Sequence, residues 1–173
     1  MDLITLYVIV LRLLHILGGV FWVGAAWMIA GFLYPTANAA GPEGTKFLQR
    51  LFQSRLPALV SAAAGLNILA GLLLYWRDSI GLRVDWITSR AGLAFTVGGL
   101  SAIAAFVIGF AVSKPAADRM GALGKEIQAA GKPPTPEQAA ELGRLGKRTA
   151  DAATWVAVLL AIALITMAIS RYL

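Results

Sequence analysis

Apolar residues fall along this chain in four long runs separated by polar stretches. The runs cover about 3–33, 57–76, 91–113 and 153–172, and only Arg12 and His15 interrupt the first. A membrane helix needs about 20 mainly apolar residues, and each run supplies them. Barrel strands would alternate apolar and polar positions over about 10 residues, and none of these runs does so. Backbone groups in lipid must bond within their own segment, so helices are expected. The first run far exceeds the roughly 7–15 residues of a signal core, and Asp2 stands at its amino end with no Lys or Arg before Arg12. It reads as a retained helix.

The polar stretches carry patterns of their own. Between runs one and two, Phe47, Leu48, Leu51 and Phe52 share a helical face, with Lys46, Arg50 and Arg55 toward the other side. That predicts an interfacial helix over about 44–56, lying on anionic headgroups. Between runs three and four, Pro133-Pro134 makes a stop and Thr135-Pro136-Glu137-Gln138 reads as a capped helix start. Met120, Leu123 and Ile127 upstream, with Leu142 and Leu145 downstream, predict that spans three and four continue past the membrane. They would meet as a cytoplasmic helical hairpin over about 114–152. The fold class expected is all-α, an integral membrane four-helix bundle forming one domain over 1–173.

Composition sharpens the class. Of the 173 residues 58% are hydrophobic and 14% charged, against roughly 25% charged in ordinary soluble domains. This excludes a disordered chain, a nucleic-acid module and a typical soluble enzyme. With no Cys there is no disulfide framework or thiolate metal site, and one His cannot build a His-rich cage within one chain. Phosphate-cradling, zinc-protease and serine-hydrolase motifs are absent.

Lys and Arg set the orientation. Lys46, Arg50 and Arg55 in the first loop join Lys114, Arg119, Lys125, Lys132, Arg144, Lys147 and Arg148 in the third; the opposite side has Arg77, Arg83, Arg90 and Arg171. Loops one and three are therefore expected in the cytoplasm of a bacterial-type inner membrane, with both termini outside. The net charge of +6 needs no nucleic acid, because it is the ordinary bias toward that side. Trp76, Trp86 and Tyr172 suit an aromatic belt on the outer side.

Ionisable residues at membrane depth are costly and invite a functional hypothesis. Arg12 and His15 lie one turn apart, and their stripe continues through Gly19, Trp22 and Ala26. His15 could ligate haem iron, with Arg12 pairing a propionate. The second axial ligand would be His15 of another copy or Met167 within the chain. His15 could instead hold copper, or simply hydrogen-bond a neighbouring helix through Asn67 while Arg12 snorkels outward. Ala63, Asn67 and Gly71 form a small-polar-small stripe suited to helix packing. No acidic residue lies in any span, which counts against a proton-coupled transporter.

The stretch Leu11-Arg12-Leu13-Leu14-His15-Ile16-Leu17-Gly18-Gly19-Val20-Phe21-Trp22-Val23-Gly24 resembles the first helix of the CopD-like group of small membrane proteins and related uncharacterised families. A similar His-bearing helix occurs in HemJ-type protoporphyrinogen oxidases and in urate-oxidase-associated membrane domains. By that likeness His15 is the ligand-bearing position, with Trp22 and Gly24 completing the motif. The resemblance implies a haem- or metal-linked role, haem b or copper, and leaves the choice open. The expectation is a haem- or metal-binding membrane protein, homo-oligomeric or part of a membrane complex. The alternatives are a non-catalytic accessory subunit and a small-solute or metal transporter.

Overall fold

A computed structural model describes residues 2–173; Met1 lies outside them. The described residues form helices joined by short turns, with no strand, and four helical runs are long and apolar enough to cross a bilayer: Leu3–Ala39, Leu56–Asp78, Arg90–Ala130 and Pro136–Tyr172. The chain is a multi-pass membrane protein.

The first run is α1 (Leu3–Met28), a π-turn (Ile29–Leu33) and α2 (Tyr34–Ala39), followed by α3 (Gly41–Gln53). The second is α4 (Leu56–Asp78), and the short α5 (Val84–Ile87) follows it. The third is α6 (Arg90–Ile108), a second π-turn (Gly109–Ser113) and α7 (Lys114–Ala130). The fourth is α8 (Pro136–Ile169), ending in a 3-10 turn at Ser170–Tyr172.

Both π-turns have one cause. Proline lacks an N–H and its ring collides with the carbonyl four residues back, and Pro35 and Pro115 each follow a π-turn. There the Tyr34 N–H reaches Ile29 O and the Lys114 N–H reaches Gly109 O, five residues back. The wide turn makes room for the ring, so the helix passes through each proline. The first run therefore extends to Ala39, beyond the expected 33. Side chains cap the starts of α1, α6 and α8. Asp2 accepts from the Thr5 N–H at 2.6 Å, Ser89 accepts from the Gly92 N–H at 3.0 Å, and Thr135 and Gln138 form a capping box.

The bundle consists of two antiparallel pairs, α1 with α4 and α6 with α8. Small residues allow close approach where hydrophobicity gives little drive. Ala102 and Ala105 of α6 meet Val156, Leu160 and Ala163 of α8, and Trp22, Ala26 and Ala64 join from the other pair. A Cβ on Gly98 would come within 2.7 Å of Thr166 Oγ1 and 2.9 Å of Met167 Cγ. Trp27 Nε1 donates to Ala157 O at 3.0 Å, tying α1 to α8, and the Tyr75 and Thr96 hydroxyls meet at 2.6 Å between α4 and α6.

At the basic end the helices outrun the apolar region. Ala116 and Met120 of α7 bury against Leu145 of α8, and Arg119 grips Glu141 through Nε at 2.9 Å. The helix expected over 44–56 begins at Gly41 and stops at Gln53. Its apolar face turns inward: Leu48 buries with Tyr34 and Ala37, Phe52 lies against Tyr34 with ring centres 5.9 Å apart, and Gly44 sits against the Ala37 backbone. Much of this face thus packs on α2, while Phe47 stays half exposed.

Candidate functional site

His15 and Asn67 meet across the α1–α4 seam. His15 Nδ1 lies 2.9 Å from Asn67 O, and Asn67 Nδ2 donates to His15 O at 2.6 Å. Each side chain therefore bonds the other residue's main-chain carbonyl. Those carbonyls already accept from their own helix, His15 O from the N–H of Gly19 and Asn67 O from that of Gly71. Both fourth-following residues are glycine, and this opens each carbonyl to the neighbouring helix. A Cβ on Gly71 would stand 2.8 Å from His15 Cε1 and 3.0 Å from Nδ1, and one on Gly19 would stand 2.8 Å from Asn67 Nδ2. The motif is a reciprocal clasp, a polar residue and a glycine four apart on each of two antiparallel helices.

The clasp fixes the imidazole tautomer. A carbonyl only accepts, so Nδ1 carries the proton, and in the neutral ring Nε2 keeps its lone pair. No group among the described residues bonds Nε2, and no unbonded side-chain nitrogen is buried. Nε2 is therefore not fully enclosed, on a half-buried ring. At 1.5 Å per residue, Asn67 lies about 15 Å from Arg77 and about 18 Å from Arg55 along α4. In a hydrocarbon layer of about 30 Å, the clasp sits near the middle.

Arg12 is exposed beside this seam. It lies one turn toward the amino end, and none of the ion pairs among the described residues involves it. Trp22 is placed differently. It is 4% exposed, enclosed in the central core, and meets Phe106 edge-on at 6.4 Å. Its indole fills space between the two helix pairs and does not border Nε2. Met167 packs over Gly98 on the α6–α8 seam, whereas His15 packs over Gly71 on the α1–α4 seam. The structure gathers His15 with Asn67 and leaves Met167 and Trp22 in other surroundings. Among the described residues no group of three or more His, Asp or Glu side chains is gathered to hold a metal ion.

His15 and Asn67 were each visible in the sequence as polar residues in apolar helices. The glycines are the missing signal: His15 with Gly19, and Asn67 with Gly71, repeat one spacing. That spacing identifies the pairing once the helices are known to run antiparallel.

Two clefts lie toward the basic end. One, of about 420 Å³, is bordered by Phe32, Thr36, Glu43 and Phe47; there Lys46, bonded to Glu43 at 2.7 Å, holds the Glu43 carboxyl below its usual range. The other, of about 470 Å³, lies between α6 and α8. Neither is bordered by His15. No protein-family model, curated protein or solved structure matches this chain.

Proposed function

We propose that this protein carries haem b in the membrane through His15, between two copies of the chain. One observation carries the reading: a half-buried imidazole midway along an apolar helix donates Nδ1–H to a carbonyl and leaves Nε2 unbonded and not fully enclosed. A metal-ligating His is usually held in this way, its non-ligating nitrogen donating to a carbonyl or carboxylate. Bound haem would supply a redox-active iron. Within the chain, His15 Nε2 would hold the iron, the clasp with Asn67 would orient the ring, and Arg12 would pair with a propionate. Because Met167 packs over Gly98 on a separate seam, the other ligand in this reading would be His15 of a second copy.

Sidedness follows from the charge bias. The basic end faces the cytoplasm, α7 and the first turns of α8 form a helical hairpin there, and both termini lie outside an inner membrane. The test is the absorption spectrum of the protein purified in mild detergent from haem-replete cells. The expected result is a Soret band at about one haem per two chains, lost in His15→Ala while size-exclusion and circular dichroism profiles persist. A protein with no Soret band refutes the haem reading; copper found by elemental analysis and lost in His15→Ala would assign His15 to that metal instead.

A second reading is supported by the clasp itself, which gives His15 a complete structural task. In it the chain is a non-catalytic accessory subunit whose helices only pack against a membrane complex. An apoprotein that co-purifies stoichiometrically with another complex would establish it.

A further inference from the structure

The cleft between α6 and α8 has two chemically distinct parts. Its polar rim comes from one face of α8, Arg144, Lys147 and Arg148, all exposed. Its apolar floor is Ile108 at the end of α6, Val112 in the π-turn, and Trp155, 64% exposed on α8. Asp151 also borders it, and Lys147 Nζ lies 3.6 Å from that carboxylate. Lys147 and Asp151 largely cancel. Arg144 and Arg148 make no ion pair among the described residues, so the cleft retains two cations.

The cleft straddles the point where the helices change character. On α6 the apolar run ends at Ser113 and Lys114, and on α8 it begins just after Asp151. Arg148 and Trp155 are seven residues apart, about 10 Å along the helix. A phosphate at the arginines would thus place a glycerol and the first acyl carbons against Trp155, the residue type that favours the headgroup level. Basic pockets between membrane helices on this side suit anionic headgroups.

We infer that this cleft is a binding site for an anionic phospholipid, with the headgroup phosphate held by Arg144 and Arg148 and an acyl chain laid over Ile108, Val112 and Trp155. The inference is independent of any ligand on His15. Charge complementarity selects the headgroup, and the apolar floor selects a lipid over a soluble phosphate.

Native mass spectrometry of the detergent-purified full chain, titrated with phosphatidylglycerol or phosphatidylcholine, tests it. The wild type should retain phosphatidylglycerol in preference to phosphatidylcholine. One cation near an anionic lipid surface is worth about fivefold, so Arg144→Gln with Arg148→Gln should weaken retention about 30-fold. Lys125→Gln with Lys132→Gln removes the same charge elsewhere on the polar arm and should leave retention unchanged. Trp155→Ala should weaken it too, with the rim intact. Equal losses in the two double variants, equal retention of both lipids, or glycerol phosphate binding as tightly as the lipid would each overturn the inference.

Discussion

The clasp makes an unusual energetic prediction. Two polar side chains in contact normally couple, so removing one devalues the other by about 0.5–3 kcal/mol. Here the acceptors are main-chain carbonyls, which survive truncation of either side chain. His15→Ala removes the 2.9 Å bond to Asn67 O but leaves a carbonyl at position 15 for Asn67 Nδ2. Asn67→Ala removes the 2.6 Å bond but leaves a carbonyl at position 67 for the imidazole. Interhelical bonds in membrane proteins average about 0.6 kcal/mol, with a ceiling of about 1.7. Each single variant should therefore cost about 0.6–1.7 kcal/mol through its bond, with some further packing loss for His15 over Gly71. The double variant should cost their sum, with a coupling below about 0.5 kcal/mol. Reversible unfolding of the four proteins in mixed micelles measures the cycle. A coupling above about 1 kcal/mol would mean that the side chains depend on each other directly, and the reciprocal main-chain geometry would be wrong.

Gly71→Ala keeps both polar side chains but puts a Cβ 2.8 Å from His15 Cε1. The ring must swing off Asn67 O, costing about 1 kcal/mol; a haem spectrum, if His15 carries the ligand, should be disturbed more by this change than by Asn67→Ala. Trp22→Ala should cost about 3 kcal/mol or more in the same unfolding assay, because it empties a site 4% exposed; a cost under about 1 kcal/mol would deny its place in the core. At the start of α5, the Arg83 guanidinium holds Asp85 below its ordinary value, with Nη2 to Oδ2 at 2.6 Å. The sign is that of a depressed carboxylate: the pairing is complete above about pH 4 and is lost as pH falls through the lowered value. An NMR titration of the Asp85 carboxyl that finds a midpoint at or above about 3.9 would refute it.

Much of the helical plan could be read from the chain because lipid leaves few alternatives. Four apolar runs gave four long helices, and Thr135 with Gln138 announced the cap that begins α8. Where the helices differ from the apolar pattern, the causes are definite. The apolar run ends near Leu33, but the π-turn at Ile29–Leu33 makes room for Pro35 and carries the helix on to Ala39. The amphipathic face of α3 fits either lipid or protein equally well; Gly44 decides, by letting α3 close on Ala37. The stripe from Arg12 to Trp22 dissolved because Trp22 turns into the core while Arg12 stays outside. Adjacency along one helix says nothing about which neighbour each position meets. Hydrogen bonding of His15 with Asn67, one of the expected alternatives, is present; its reciprocal main-chain form depends on the relative height of two helices, which periodicity does not encode.

The two π-turns also have a mechanical consequence. Ile29 and Leu33 in the first pack near Ala150 and Ala153 of α8, and Val112 in the second borders the same cleft as Ala152. Both irregular turns thus flank α8 at one height, while α8 runs without interruption from Pro136 to Ile169. Bending compliance is concentrated in the two neighbours and stiffness in the third helix. A force applied to the polar arm would be carried into the bilayer by a single rod, with its flanking helices yielding at a pair of level joints.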